Sequence, residues 1–200
     1  MKIIGLCGGS GSGKGTVCSV FLSHGIPSID ADRVYRELAV PGSDILSDLA
    51  TEFGSDVLNG DGSLNRAVLS SKAFGAEASP EAKDRLDRIT HARILEETER
   101  RILALRDSYD FVIFDAPLLF ESGFDKRCDI IIAVIANTDI RVKRIMQRDG
   151  ISKEAAYARI SAQMPDDELV KRADHVIVNN GSIAELENAA CEVLTKINNK

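Results

Sequence analysis

The residues best suited to chemistry stand close to the amino terminus. Gly8-Gly9-Ser10-Gly11-Ser12-Gly13-Lys14 has the spacing G-x-x-x-x-G-K, with an apolar stretch before it and helical periodicity after it. Glycines let successive backbone N–H groups converge on one anion without Cβ clashes. A helix opening near Lys14 adds the positive end of its dipole, and the Lys14 ammonium neutralises further charge. The chemistry on offer is the binding of a nucleotide polyphosphate, with Gly9, Ser10, Gly11, Ser12, Gly13, Lys14, Gly15 and Thr16 as the cradle. A Ser or Thr hydroxyl, a Mg²⁺ ligand, usually follows the lysine of such a loop. Here Gly15 stands in that place and Thr16 comes next. Mg²⁺ is still expected, because it favours phosphates, water and one or two carboxylates over a dedicated protein cage.

Carboxylates follow two of the apolar runs. Asp30-Ala31-Asp32 comes after Ile26–Ile29, and Asp115 comes after Phe111–Phe114. In open α/β sheets the carboxyl ends of the strands border the ligand crevice. One carboxylate of the Asp30/Asp32 pair could accept the proton of an attacking hydroxyl, which is worth ~10²–10⁴ in rate. The other could hold Mg²⁺-bound water or a ribose hydroxyl. Either could instead cap the following helix. Asp115 and Thr16 are the candidate Mg²⁺ contacts, through water, with a cap or turn role as the alternative for Asp115. Arg141, Lys143, Arg144, Arg148, Lys153 and Arg159 give residues 139–163 a local charge of +3 in an otherwise acidic chain. Arg141, Arg144 and Arg148 share one helical face by spacing and suit a lid over phosphates, or else a solvated helix face. His24, His91 and His175 do not cluster and show no metal-ligand spacing.

These groups need a scaffold that brings strand ends together. Lys2–Cys7, Ile26–Ile29, Phe111–Phe114, Asp129–Ala136 and Val176–Val178 are short apolar runs, and helical patterns separate them. Such alternation predicts a five-stranded parallel sheet with helices on both faces, the α/β architecture of P-loop NTPases. Residues 33–106 are read as a helical acceptor-binding insertion broken at Pro41-Gly42, Asn59–Gly62 and Ser79-Pro80. Residues 139–172 are read as a short helical lid, and residues 1–32, 107–138 and 173–200 as the core of one domain. Ser182–Ile197 reads as a closing helix with a Ser N-cap.

Composition narrows the function classes. With 25 Lys+Arg against 31 Asp+Glu the net charge is −6, a poor general match to nucleic acid or to an anionic membrane. Aromatics are 5% and Trp is absent, which disfavours a stacking platform for single strands. The longest apolar run, Ile130–Ala136, is far shorter than the ~20 residues of a membrane-spanning helix. No signal-peptide core is apparent, and Cys7, Cys18, Cys128 and Cys191 form no C-x-x-C pair. A cytoplasmic protein with buried reduced thiols is the expectation, as a monomer or weak homo-oligomer without nucleic-acid or membrane partners.

Taken with the stretches Asp30-Ala-Asp32, Gly62-Ser-Leu-Asn-Arg66, Leu86-Asp-Arg-Ile-Thr-His91, Asp115-Ala-Pro-Leu-Leu-Phe-Glu121, Arg144-Ile-Met-Gln-Arg-Asp149, Arg159-Ile-Ser-Ala-Gln163 and Ala173–Gly181, the chain resembles dephospho-CoA kinase almost end to end. The resemblance implies transfer of the ATP γ-phosphate to the ribose 3′-hydroxyl of dephospho-CoA, giving CoA and ADP. It makes Asp32 the base and Arg144 the lid arginine, beside Lys14. It puts Asp30, Arg66, His91, Pro117, Leu118 and Glu121 on the dephospho-CoA side, and Asn179 and Gly181 on the nucleotide side. Two residues depart from the family pattern. Gly15 replaces Ser or Thr, giving a Gly-Lys-Gly-Thr ending like that of adenylate kinases, and Ala92 replaces the common Pro. The competing readings are a nucleoside-monophosphate-type kinase and a non-catalytic ATP-binding module. A GTPase switch would carry an N-K-x-D motif, which does not occur.

Overall fold

A computed structural model describes residues 1–199. Five strands form one sheet: β1 (Lys2–Cys7), β2 (Ser28–Asp30), β3 (Phe111–Asp115), β4 (Ile130–Ile135) and β5 (His175–Val178). Their order across the sheet is β2-β3-β1-β4-β5. β1 runs parallel to both neighbours, with Ile4 opposite Ile113 on one side and Ile130 on the other, and β5 runs parallel to β4. The helices are α1 (Lys14–Ser23), α2 (Ala31–Leu38), α3 (Asp44–Phe53), α4 (Arg66–Phe74), α5 (Ala82–Leu105), α6 (Thr138–Asp149), α7 (Lys153–Ser161), α8 (Asp166–Arg172) and α9 (Ile183–Asn198). The chain divides into two compact units, Met1–Ile29 with Leu105–Lys200, and Asp30–Ala104.

In the sheet-bearing unit, strand alternation sends Ile4 and Leu6 to one face. There they join Val17 and Phe21 of α1 and Leu186, Ala190 and Leu194 of α9 in a hydrophobic core. Gly5 points to the other face, and a β-carbon on it would fall 2.7 Å from Cys128 Sγ and 2.9 Å from Leu119 Cδ2. Glycine at this position lets the segment after β3 lie directly on the sheet, where Phe124 also packs on Phe114 with ring centres 4.2 Å apart. Ile132, Ala133 and Val134 of β4 are buried in succession, as expected of a strand covered on both faces.

The second strand starts two residues later than the apolar run suggests. Gly25 adopts φ +80° and the Ile26 N–H bonds back to Phe21 O, so Ile26 is tied into the turn that closes α1 and is not yet in the strand. Pro27 has no N–H to give a ladder, although its carbonyl accepts from Ile113 N. The Ser182 N-cap of α9 forms as expected, as a reciprocal capping box with Glu185. Gly181 sits where a β-carbon would meet Glu185 Oε2 at 2.2 Å, so a side chain there would push the returning glutamate aside.

The second unit is helical, and its core gathers Ile45, Leu46, Leu49, Phe53, Val57 and Leu69. The breaks fall where Pro41-Gly42, Asn59–Gly62 and Ser79-Pro80 predict them, and a Leu58–Leu64 bridge closes the middle one. α5 carries Arg101, which donates to Glu97 at 2.7 Å and to Glu37 at 2.6 Å. Hydrogen bonds from Arg100, against some desolvation, and from Arg101 hold the Glu97 carboxyl down to about 2.

Candidate active site

The glycine loop spans residues 8–13, between β1 and α1. Gly13 sits at the N-cap of α1 with φ +98°, ψ +13°, a left-handed conformation that favours glycine. The backbone amides of Gly11, Gly13 and Gly15 have no protein acceptor among the described residues. Amides left open at a helix start are what an anion needs. Three successive carbonyls of the loop are instead satisfied by side chains. Ser10 O accepts from Arg141 Nε at 2.9 Å, Gly11 O from Arg144 Nη1 at 3.2 Å, and Ser12 O from Asn179 Nδ2 at 2.7 Å.

Lys14 pairs with Asp115, which is 8% exposed at the carboxyl end of β3. Thr16 lies one turn into α1, half-buried, with its N–H on Gly13 O at 3.0 Å. Gly15 has open space around its α-carbon. Below the loop, burial pushes the Cys7 thiol up to about 12, against the lowering pull of the Lys14 ammonium. It therefore stays protonated and serves as packing.

Arg144 also donates to Asn179, to its carbonyl at 3.2 Å and its Oδ1 at 3.1 Å. Both polar ends of the buried Asn179 amide are thereby engaged with the loop and with Arg144. Gly181 is exposed two residues on. Of the three arginines on the α6 face, only Arg141 and Arg144 turn to the loop. Arg148 instead lies on Asp149, its Nε donating to Oδ1 at 2.7 Å. In the segment after β3, Leu118 and Glu121 are exposed, Pro117 is half-buried, and Phe120 lies 5.2 Å beneath the Arg172 guanidinium.

The remaining sequence candidates belong to the helical unit. Asp30 is the N-cap of α2 and accepts from Arg33 N at 3.0 Å. Asp32, in the first turn of α2, is exposed and has no hydrogen bond or ion pair among the described residues. Of the two candidate caps, Asp30 takes that place and Asp32 does not. Arg66 is exposed at the start of α4, and its charge draws down a Tyr35 hydroxyl that burial pushes up. His91 is half-buried on α5.

Known proteins match this chain over nearly its full length. The dephospho-CoA kinase family model matches residues 2–185. The chain belongs to the dephospho-CoA kinase family. The dephospho-CoA kinase of Syntrophotalea carbinolica is 41% identical over 198 residues, covering 98% of this chain and 92% of the relative. A structure of TT1252 from Thermus thermophilus superposes with a TM-score of 0.81 at 32% identity, covering 98% of this chain and 97% of that one. The dephospho-CoA kinase from Campylobacter jejuni gives 0.71 at 27% identity, covering 98% and 96%. The five-stranded parallel sheet with its glycine loop is the P-loop kinase fold of this family.

Two residues that hold the loop are not separable in the sequence. Arg141 shows there only as one of a basic group, with nothing in its spacing to set it apart from Arg148. Gln163 carried no chemical signal of its own, yet its Oε1 accepts from Ser10 N at 2.9 Å. No group of three or more His, Cys, Asp or Glu able to hold a metal occurs among the described residues. The donor set suits Mg²⁺ only in its phosphate-bound form, with Asp115, the carboxylate paired with Lys14, as its contact. No helix among the described residues is long and apolar enough to cross a membrane.

Proposed function

We propose that this chain transfers the γ-phosphoryl group of ATP to the ribose 3′-hydroxyl of dephospho-CoA, giving CoA and ADP, the last step of coenzyme A biosynthesis. The observation that carries it is a family match over residues 2–185 on a chain whose glycine loop keeps open amides beside Lys14. Phosphoryl transfer asks a protein mainly for positioning and charge stabilisation. The amides of Gly11, Gly13 and Gly15 receive the phosphates, and Lys14 exchanges its carboxylate partner for phosphate oxygens. The Asp115 carboxylate would then contact Mg²⁺ through water, with Thr16 nearby. Bound Mg²⁺ supplies charge neutralisation at the phosphates. Arg144 and the Asn179–Gly181 turn flank the nucleotide, and Arg144 brings positive charge to the transferring group.

Asp32 accepts the proton of the acceptor hydroxyl. Its exposure and lack of a partner suit that role, whereas Asp30 is engaged as a cap. Asp30, Arg66, His91, Pro117, Leu118 and Glu121 are the residues we place on dephospho-CoA. The reading takes the reaction to be cytoplasmic and the chain to be a monomer or weak homo-oligomer. ADP release measured with dephospho-CoA, AMP, CMP and dTMP as acceptors tests the reading. Turnover with dephospho-CoA alone is expected, and turnover only with a nucleoside monophosphate overturns it.

A further inference from the structure

The outer arm of the glycine loop is held by residues distant from it in sequence. Arg141 is 3% exposed, and each of its guanidinium nitrogens has a protein acceptor. Nε donates to Ser10 O at 2.9 Å, Nη1 to Asp166 Oδ1 at 2.8 Å, and Nη2 to Gln163 Oε1 at 3.1 Å. The same Gln163 Oε1 accepts from Ser10 N, so one Arg–Gln pair holds both the N–H and the C=O of Ser10, in the two peptide units that flank its α-carbon. The contact is close as well as polar. A β-carbon on Gly9 would fall 2.1 Å from Arg141 Nη2 and 2.9 Å from Gln163 Oε1. The guanidinium therefore lies against Gly9 so closely that a β-carbon there would have to displace it. Engaged in this way, it is not presented to a phosphate.

We propose that Arg141 and Gln163 are positioning residues for ATP: they fix the Ser10 peptide and thereby aim the amides of Gly11, Gly13 and Gly15 before any nucleotide arrives. A loop with glycine at 8, 9, 11 and 13 loses much conformational freedom when it is ordered. A brace that orders it in the free protein removes that cost from the binding step. Asp166 at the start of α8 compensates the buried charge, so Arg141 acts as a scaffold cation. The proposal rests on the ATP half of the function above and is independent of the acceptor.

The test measures binding without acceptor. ATP and inorganic tripolyphosphate are each titrated into wild type, Arg141→Lys and Gln163→Ala, alongside melting curves and steady-state kinetics. Lysine keeps the charge beside Asp166 but cannot hold three acceptors in one plane. Both variants are expected to bind both ligands about tenfold more weakly or worse. The factor should be the same for ATP and tripolyphosphate, and kcat at saturating ATP should stay near wild type. Lowered melting temperatures with unchanged affinities would show a merely structural role and overturn the proposal. Weakened ATP with unchanged tripolyphosphate would mean that Arg141 touches the nucleoside, and lost kcat with retained affinity would mean that it acts on the transferring group. Either result also overturns it. Should Arg141→Lys fail to fold, Gln163→Ala decides alone. A wild type that binds ATP but ignores dephospho-CoA would sink the functional reading while leaving these ratios measurable.

Discussion

Two single-methyl substitutions, two residues apart, should differ in stability by several kcal/mol. Gly13 has φ +98°, and a β-carbon there would sit 2.2 Å from Asn179 Nδ2 and 3.0 Å from Leu186 Cδ2. An alanine in that left-handed conformation costs roughly 1–2 kcal/mol before any contact is counted. Asn179 is 4% exposed and has little room to retreat. Moving it breaks its bonds to Ser12 O and Arg144, each worth about 1 kcal/mol. Gly13→Ala is therefore expected to lose about 3–4 kcal/mol in all. Gly15 is the second residue of α1, its φ is ordinary, and a β-carbon there meets nothing within 4 Å. Gly15→Ala should gain about 0.5–1 kcal/mol from helix propensity. Urea denaturation of the two variants against wild type measures the difference. In melting temperature it corresponds to roughly 2–4 °C per kcal/mol for a chain of this size. Gly15→Ala should also retain ATP affinity, and Gly13→Ala should lose it. A stable Gly13→Ala, or a Gly15→Ala destabilised by more than the methyl can explain, would refute the loop geometry.

Further outcomes concern charge. Asp32→Asn should lower kcat by ~10²-fold or more with the KM for ATP little changed, as befits a lost base; kinetics near wild type would remove Asp32 from that role. Arg144→Gln should lower kcat/KM for ATP by at least about tenfold, while Arg148→Gln should stay close to wild type, since removing a charge at a transferring phosphate is costly and removing an outward ion pair is not. Above pH 9 stability should fall. The unfolded Cys7 thiol ionises there while the folded one, raised to about 12, keeps its proton. The slope is about 1.4 kcal/mol per pH unit for that thiol, and Cys7→Ala should make alkaline denaturation curves shallower by that share, the rest staying with Cys128, which burial also pushes up to about 12. At the acid end Glu97 contributes stability that is complete above about pH 4.5 and is lost as pH falls toward 2. A Glu97→Gln variant should show a shallower acid limb in equilibrium unfolding.

What the sequence made legible was whatever has a local cause. The β1–loop–α1 unit is specified by six apolar-rich residues, a glycine run and a lysine, and it forms where those residues predict. The Ser182 cap, the Pro41-Gly42 and Ser79-Pro80 breaks and the long α5 are equally local. Pro27 moved the start of β2, because its missing N–H competes with the apolar pattern at Ile26. Asp30 and Asp32 could not be told apart by type or spacing, since one helix start needs an acceptor and either could supply it; the hydrogen bond from Arg33 settles which one does. The brace on the loop was invisible for the opposite reason. Its donors stand 131 to 167 residues away from the carbonyls they satisfy, and only tertiary structure brings them together.

That brace follows from the geometry of the loop itself. A peptide that turns its N–H groups toward an anion turns carbonyls the other way, and buried carbonyls must find donors. Here the donors at Ser10 and Gly11 are arginines, so the back of an anion site is lined with positive charge. The charges are not equivalent. Arg141 is matched by Asp166, and Arg148 and Arg159 share Asp149. Arg144 has no carboxylate partner among the described residues, although it touches the loop through Gly11 O. An arginine compensated by a carboxylate contributes little net field at a distance, whereas an uncompensated one acts on whatever charge enters beside it. Of these four arginines, Arg144 is the one without a carboxylate among the described residues, which supports the nucleotide role proposed for it.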